Sequence, residues 1–151
     1  MPLKGIEIVE VEGSAGLDGA LPLLRRAVGE GPNRDRAAAA ERFAREALAG
    51  PDALLLLARG PGPVDLGVLF AAGSRNPFLG TSVPFLYALF VRPENRRAGL
   101  AAALLSRAEK IYRTRGFGAL AAEVPYQDDA LISMGERRGY VREREWMAKD
   151  L

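Results

Sequence analysis

The succession of apolar runs and turns predicts an α/β fold: a mixed, mostly antiparallel sheet with helices on both faces, in the order β-α-α-β-β-β-α-β-α-β. Three observations carry that prediction. Short apolar runs closed by Gly and Pro recur as strands, two segments of helical period stand between the first and second of them, and a third helix follows an apolar strand through a Gly-containing turn. No internal repeat or low-complexity tail interrupts the pattern, and 151 residues suit one domain over 1–151 that is long enough to bury a core.

Residues 5–11 set Ile6, Ile8, Val9 and Val11 against Glu7 and Glu10, the alternation of a strand. Leu17, Leu21, Leu24 and Val28 then recur at helical spacing, and Gly29, Gly31 and Pro32 close that helix. A second helix starts near Asn33, an N-cap with Asp35 in the first turn, and its Ala-rich body to Leu48 stops at Gly50 and Pro51. Residues 54–59 read as a buried strand, 60–63 as a tight turn and 64–72 as the returning strand of a hairpin. Residues 73–84 form a loop punctuated by Gly and Pro that can cover a site.

The run Pro-Phe-Leu-Tyr-Ala-Leu-Phe-Val stops at Arg92 and Pro93, because Pro cannot donate to a sheet. From Leu100 onward, Leu100, Leu104, Ala108 and Ile111 line one face of a helix while Ser106, Arg107, Glu109, Lys110 and Arg113 line the other. Between strand and helix lies Gly99, where the backbone can approach a ligand without a side chain in the way. The helix start presents unpaired N–H groups and the positive end of the macrodipole, so a phosphate or pyrophosphate is held there, and Arg96 and Arg97 add full charge. Arg115 and Gly116 end this helix, residues 119–124 form a fifth strand, 129–138 a short helix stopped by Gly139, and 141–149 a last strand that completes the sheet.

Composition removes several chemistries. Lys and Arg number 21 against 19 Asp and Glu, without the polybasic tract of nucleic-acid binders, so no nucleic-acid partner is expected. With no Cys and no His, disulfides, a thiolate nucleophile, a Ser-His-Asp triad and the usual zinc sites are excluded, and no metal is expected. Acid–base work falls to carboxylates, Tyr, Lys or water. The first residues alternate like a strand rather than forming an apolar signal block, and no run approaches a membrane span, which predicts a soluble cytoplasmic protein. The turn is neither a P-loop, since no Gly-Lys-Ser/Thr follows, nor a dinucleotide fingerprint, since Gly-x-Gly-x-x-Gly is absent.

Arg96-x-x-Gly99-x-Ala101, preceded by Val91-x-Pro93, resembles the coenzyme A signature of the GNAT N-acetyltransferase superfamily, Gln/Arg-x-x-Gly-x-Gly/Ala. A second segment, running from Leu120 through Glu123, Asp128, Leu131 and Gly135 to Gly139 and Tyr140, is similar to the family's closing strand, Asn-headed helix and Gly-Phe/Tyr. The order of elements is also the family's, so a GNAT-like fold is implied. By this resemblance Arg96, Arg97, Ala98, Gly99, Leu100, Ala101 and Ala102 hold the pyrophosphate, and the backbone of Leu89, Phe90 and Val91 pairs with the pantetheine arm as if it were a strand. Glu123 stands where several members, notably the ribosomal-protein N-terminal acetyltransferases, carry a catalytic base. Asp128 replaces the usual Asn and retains a cofactor contact only weakly, since its carboxylate favours capping the helix.

The implied activity is transfer of an acetyl group from acetyl-CoA to an amine of a small molecule or peptide, by direct attack in a ternary complex. An alkyl ammonium has a pKa near about 10.4, so the site must remove a proton, and Glu123 is the candidate. The family's Tyr that protonates the leaving thiolate falls here on Gly135. Tyr126 or Tyr112 substitutes for it, or the thiolate leaves unprotonated, or catalysis is lost and the chain is a coenzyme A binding module. Tyr87, Tyr126 and Trp146 read as core or rim aromatics and Arg137, Arg138, Arg142 and Arg144 as a solvated face. The sequence allows a homodimer.

Overall fold

A computed structural model describes residues 3–28, 35–74, 78, 83–124, 128–145, 147, 149 and 151. Its elements are β1 (Glu7–Glu10), α1 (Gly13–Val28), α2 (Arg36–Leu48), β2 (Leu54–Arg59), β3 (Asp65–Gly73), β4 (Pro84–Val91), α3 (Leu100–Thr114), β5 (Ala121–Ala122) and α4 (Asp129–Arg137), with a 3-10 turn at Pro93–Asn95. The strands lie side by side in chain order, antiparallel from β1 to β4, with β5 parallel to β4. This is the mixed sheet expected from the sequence.

Strand alternation sorts the core into two layers. Leu55 and Leu57 of β2 with Val68, Phe70 and Ala72 of β3 pack under α1 and α2, where Leu17, Leu21 and Leu24 of α1 and Ala44 of α2 meet them. Leu54, Leu56, Leu69 and Ala71 face the other way, against Leu100, Leu104, Leu105, Ala108 and Tyr112 of α3. On α3 the expected apolar stripe is displaced by one position at its end, where Tyr112 is buried and Ile111 only half-buried.

Several boundaries differ from the sequence reading. Asp35, not a first-turn residue, caps α2, its Oδ1 accepting from the Ala38 N–H at 2.9 Å. The expected closures at Gly29, Gly31 and Pro32 and the cap at Asn33 lie outside the described residues. The fifth strand spans two residues rather than six. The strand expected over 141–149 does not form among the described residues there: Val141 is 80% exposed, and Arg142, Glu143, Arg144 and Glu145 are charged on both faces, so neither face of the segment can be buried. Instead the Tyr140 N–H donates to the Gly135 carbonyl at 3.0 Å and Arg142 Nε to Glu136 at 2.7 Å, folding this stretch onto α4. No helix among the described residues is long and apolar enough to cross a membrane.

Candidate active site

Two features of β4 create the site. Between Phe70 and Ala71 of β3 the register with β4 shifts, so that Ala88 and Leu86 are partnered and Tyr87 is skipped. This is a β-bulge. It breaks alternation: Leu86, Leu89 and Val91 belong to the α3 layer, while the adjacent pair Tyr87 and Ala88 both belong to the α1–α2 layer, with Phe90. The second feature is the short pairing with β5, which reaches only Phe85 and Leu86. Beyond them no strand among the described residues covers that edge of β4.

At the end of β4 the chain turns into α3. Pro93 begins the 3-10 turn, Arg97 adopts a left-handed φ of 65°, and Gly99 follows at φ 82° and ψ 10° as the N-cap of α3. Arg97 is the one non-Gly residue with positive φ among the described residues, a conformation that costs about 1 kcal/mol. No side chain caps the helix, and a Cβ built at Gly99 meets nothing within 4 Å. A left-handed residue leading into helical Leu100 is the backbone concavity that gathers N–H groups toward an anion. The chain fits a pyrophosphate at residues 97–102: the amides are uncapped, the approach is open, and Arg97 makes no ion pair among the described residues. Arg96 is used differently. Its Nε donates to the Val91 carbonyl at 3.0 Å and its guanidinium lies 5.6 Å from the Phe90 ring centre, bracing the turn against β4. Arg26 of α1 stacks on the same ring at 5.0 Å.

Glu123 sits just past β5, its N–H donating to the Leu86 carbonyl at 3.1 Å. Its carboxyl contributes to the wall of an apolar cavity of about 170 Å³ that Leu24, Phe43, Phe70, Tyr87 and Ala88 also line. Loss of water around the carboxyl raises its pKa above the ordinary value, and the positive charge of Arg36 at the head of α2 partly opposes that rise. The residue as a whole remains open to solvent, so an acceptor can reach it. Phe43 packs edge-on to Tyr87 at 4.6 Å and to Phe70 at 5.9 Å, forming the aromatic floor. Arg45 bridges Asp18 at 2.6 Å and Glu41 at 2.9 Å, tying α1 to α2 beside it.

The remaining candidates fall elsewhere. Asp128 caps α4, its Oδ1 accepting from the Leu131 N–H at 3.1 Å. Tyr112 is corrected as a candidate acid: it is 2% exposed, its hydroxyl donates to the Asp52 carbonyl at 2.8 Å, and burial pushes its pKa far up. Tyr126 and Trp146 lie outside the described residues. Gly135 has the Tyr140 Cβ 3.7 Å from a built Cβ, ordinary contact distance, so packing does not demand a glycine. Arg138 is not merely solvated. It bonds Glu109 at 2.8 Å and Ser106 at 2.8 Å, and Tyr140 donates to Glu109 at 3.1 Å, locking α4 onto α3. The bulge at Tyr87, the cavity wall at Phe43 and the charge of Arg36 were not read from the sequence; an all-apolar β4 carries no mark of where its alternation breaks. No group of three or more metal-ligating side chains occurs among the described residues.

A β4 edge with no further strand partner among the described residues, a left-handed Gly at an uncapped helix start and a carboxyl beside that edge make up the candidate site. The profile of the acetyltransferase (GNAT) family matches residues 66–140, which span β3 through α4. Residues 66–140 carry a GNAT acetyltransferase domain. Among solved structures, it is similar to an aminoglycoside 6'-N-acetyltransferase of Acinetobacter haemolyticus at 22% identity and a TM-score of 0.71, covering 96% of this chain and 99% of that one. The aminoglycoside N-acetyltransferase AAC(6')-Iy in complex with the bisubstrate analog CoA-S-monomethyl-acetylneamine gives 18% and 0.72, covering 97% and 98%. A ribosomal-protein-alanine N-acetyltransferase of Brucella melitensis gives 17% and 0.68, covering 97% and 99%. At these identities the likeness is one of fold. No curated protein matches the chain significantly.

Proposed function

We propose that this chain is an acetyl-CoA-dependent N-acetyltransferase that acetylates an amine of a small molecule by direct attack in a ternary complex. One observation carries the reading: the gap beyond Leu86 has an uncapped helix start at one end and the Glu123 carboxyl at the other. Acetyl-CoA supplies an activated acyl thioester. The chain supplies the rest. The amides of residues 97–102 and the charge of Arg97 hold the pyrophosphate. The open edge of β4 at Leu89, Phe90 and Val91 orients the pantetheine arm by backbone hydrogen bonds, and amides at the end of that strand face the negative charge that develops on the acyl oxygen. Glu123 takes one proton from the acceptor ammonium, freeing the lone pair that forms the new C–N bond; as the C–S bond breaks, the nitrogen gives up its second proton and coenzyme A leaves as the thiolate, which takes up a proton to become the free thiol. With no Cys in the sequence, no thiolate is present to form an acyl enzyme, which supports direct transfer.

Titration with acetyl-CoA followed by melting tests the cofactor half of this reading, since any ligand of the native state raises its melting temperature. The proposal expects a saturable rise, and no rise at saturating ligand overturns it. The alternative, a coenzyme A binding module without turnover, is favoured by Gly135 at the expected Tyr position, and it predicts the same rise with no thiol release for any amine.

A further inference from the structure

Resting on the acetyl-transfer reading, we infer that the acceptor is a primary monoamine carried on an apolar group about the size of a benzene ring, seated between α1, α2 and β4 with its nitrogen at Glu123. Size is the first argument. The cavity measures about 170 Å³, and an apolar cavity of about 150 Å³ takes up benzene. Its walls are the second. Among the described lining residues Glu123 is the one charged side chain, and the hydroxyl of Tyr87 is turned away to the Gly73 carbonyl at 3.4 Å. A hydroxyl or a second ammonium pushed among Leu24, Phe43 and Phe70 would lose its water and find no partner. A ring, by contrast, meets Phe43 and Tyr87 already crossed at 68°, an arrangement that extends edge-to-face to another ring.

Charge is the third argument. The group that acts electrostatically on Glu123 is the guanidinium of Arg36, a cation. One acceptor nitrogen is served by the carboxylate, while a further ammonium at the mouth is repelled by Arg36. A second groove, lined by Glu46 and Asp52, shares Phe43 with this cavity but not Glu123. The bulge completes the fit, because turning Ala88 as well as Tyr87 to this face puts a small side chain where the amine must pass toward the open β4 edge.

The test compares kcat/KM of the full chain for 2-phenylethylamine, ethylamine and spermidine at saturating acetyl-CoA, read as thiol release. The expected order puts 2-phenylethylamine about tenfold or more above both, the size of effect an apolar pocket gives one fitting group. Spermidine preferred over 2-phenylethylamine overturns the inference and leaves acetyl transfer standing. Thiol release with no amine at all, despite a melting shift by acetyl-CoA, overturns acetyl transfer and this inference with it. A second measurement narrows the cavity with Ala40→Leu, at a half-buried helical position on its wall. The expected result is an approximately tenfold rise in KM for 2-phenylethylamine with the KM for acetyl-CoA unchanged; an unchanged KM for the amine overturns the inference.

Discussion

The Glu123 N–H donates to the Leu86 carbonyl at 3.1 Å, directly after the two residue pairs that join β4 to β5. The next two residues of β4, Tyr87 and Ala88, turn together toward α1 and α2. One backbone hydrogen bond therefore anchors Glu123 beside the bulge, with its carboxyl on the wall of the α1–α2 cavity. In the proposed reaction the acceptor comes from the α1–α2 side, and the cofactor, anchored at the start of α3, runs along β4 to meet it.

Glu123→Gln is expected to lower kcat by about 10²- to 10⁴-fold, the usual worth of a positioned base, while leaving acetyl-CoA affinity unchanged. Steady-state rates with a saturating amine and a separate cofactor titration check it. A rate loss below about threefold assigns deprotonation to water or to another group.

The pH dependence follows from the desolvation of the same carboxyl, which raises its pKa above 4.5. Because the base must be ionised, kcat/KM is expected to fall on an acid limb lying above the ordinary carboxyl range, and that limb should vanish in Glu123→Gln. Stability changes with the opposite sense. A group whose folded pKa is raised contributes stability that is present below its unfolded pKa and lost as pH rises through the folded one. The Gln variant should thus melt no lower than the parent at neutral pH, with any advantage closing in acid. A lower melting temperature at neutral pH would instead mean that the carboxylate has a structural partner.

At the turn, Arg97→Gly separates charge from conformation. Glycine adopts the left-handed φ freely, so the melting temperature without ligand should hold or rise, while acetyl-CoA binding weakens about threefold to tenfold from the lost charged contact. Gly99→Val should abolish binding, and its left-handed φ of 82° means that the free protein also loses some stability. Cofactor affinity unchanged in both variants would leave the turn without a ligand.

Tyr112→Phe removes a buried hydroxyl from the Asp52 carbonyl and should cost about 1 kcal/mol, or roughly 2–4 °C in Tm. Turnover is expected to match the parent's at a temperature where both are folded. A loss of kcat without a loss of Tm would return Tyr112 to the chemistry.

Where a residue acts through its own backbone, the sequence was informative. Pro93 ends β4, Gly99 opens α3 and the 54–59 strand is found at those bounds, because fixed φ, a missing N–H and an uninterrupted apolar run each have local consequences. Long-range relations were not legible in the same way. The bulge at Tyr87 depends on how β4 registers with β3, and the cavity depends on Phe43 of α2 meeting Phe70 of β3. Among the described residues of 141–149 no strand forms, because strand formation needs a neighbour as well as β-forming residues, and β5 has only two paired residues. Tyr112 illustrates a smaller error, in which one position of helical phase separates a solvent-side acid from a buried anchor.

The most direct test of the central claim is release of free coenzyme A thiol from acetyl-CoA by the purified chain, with and without a primary amine, alongside detection of the N-acetylated product. The account predicts thiol release that depends on the amine, matches product mole for mole and is lost in Glu123→Gln. Thiol release that is absent with every amine, or equal with and without one, would contradict it.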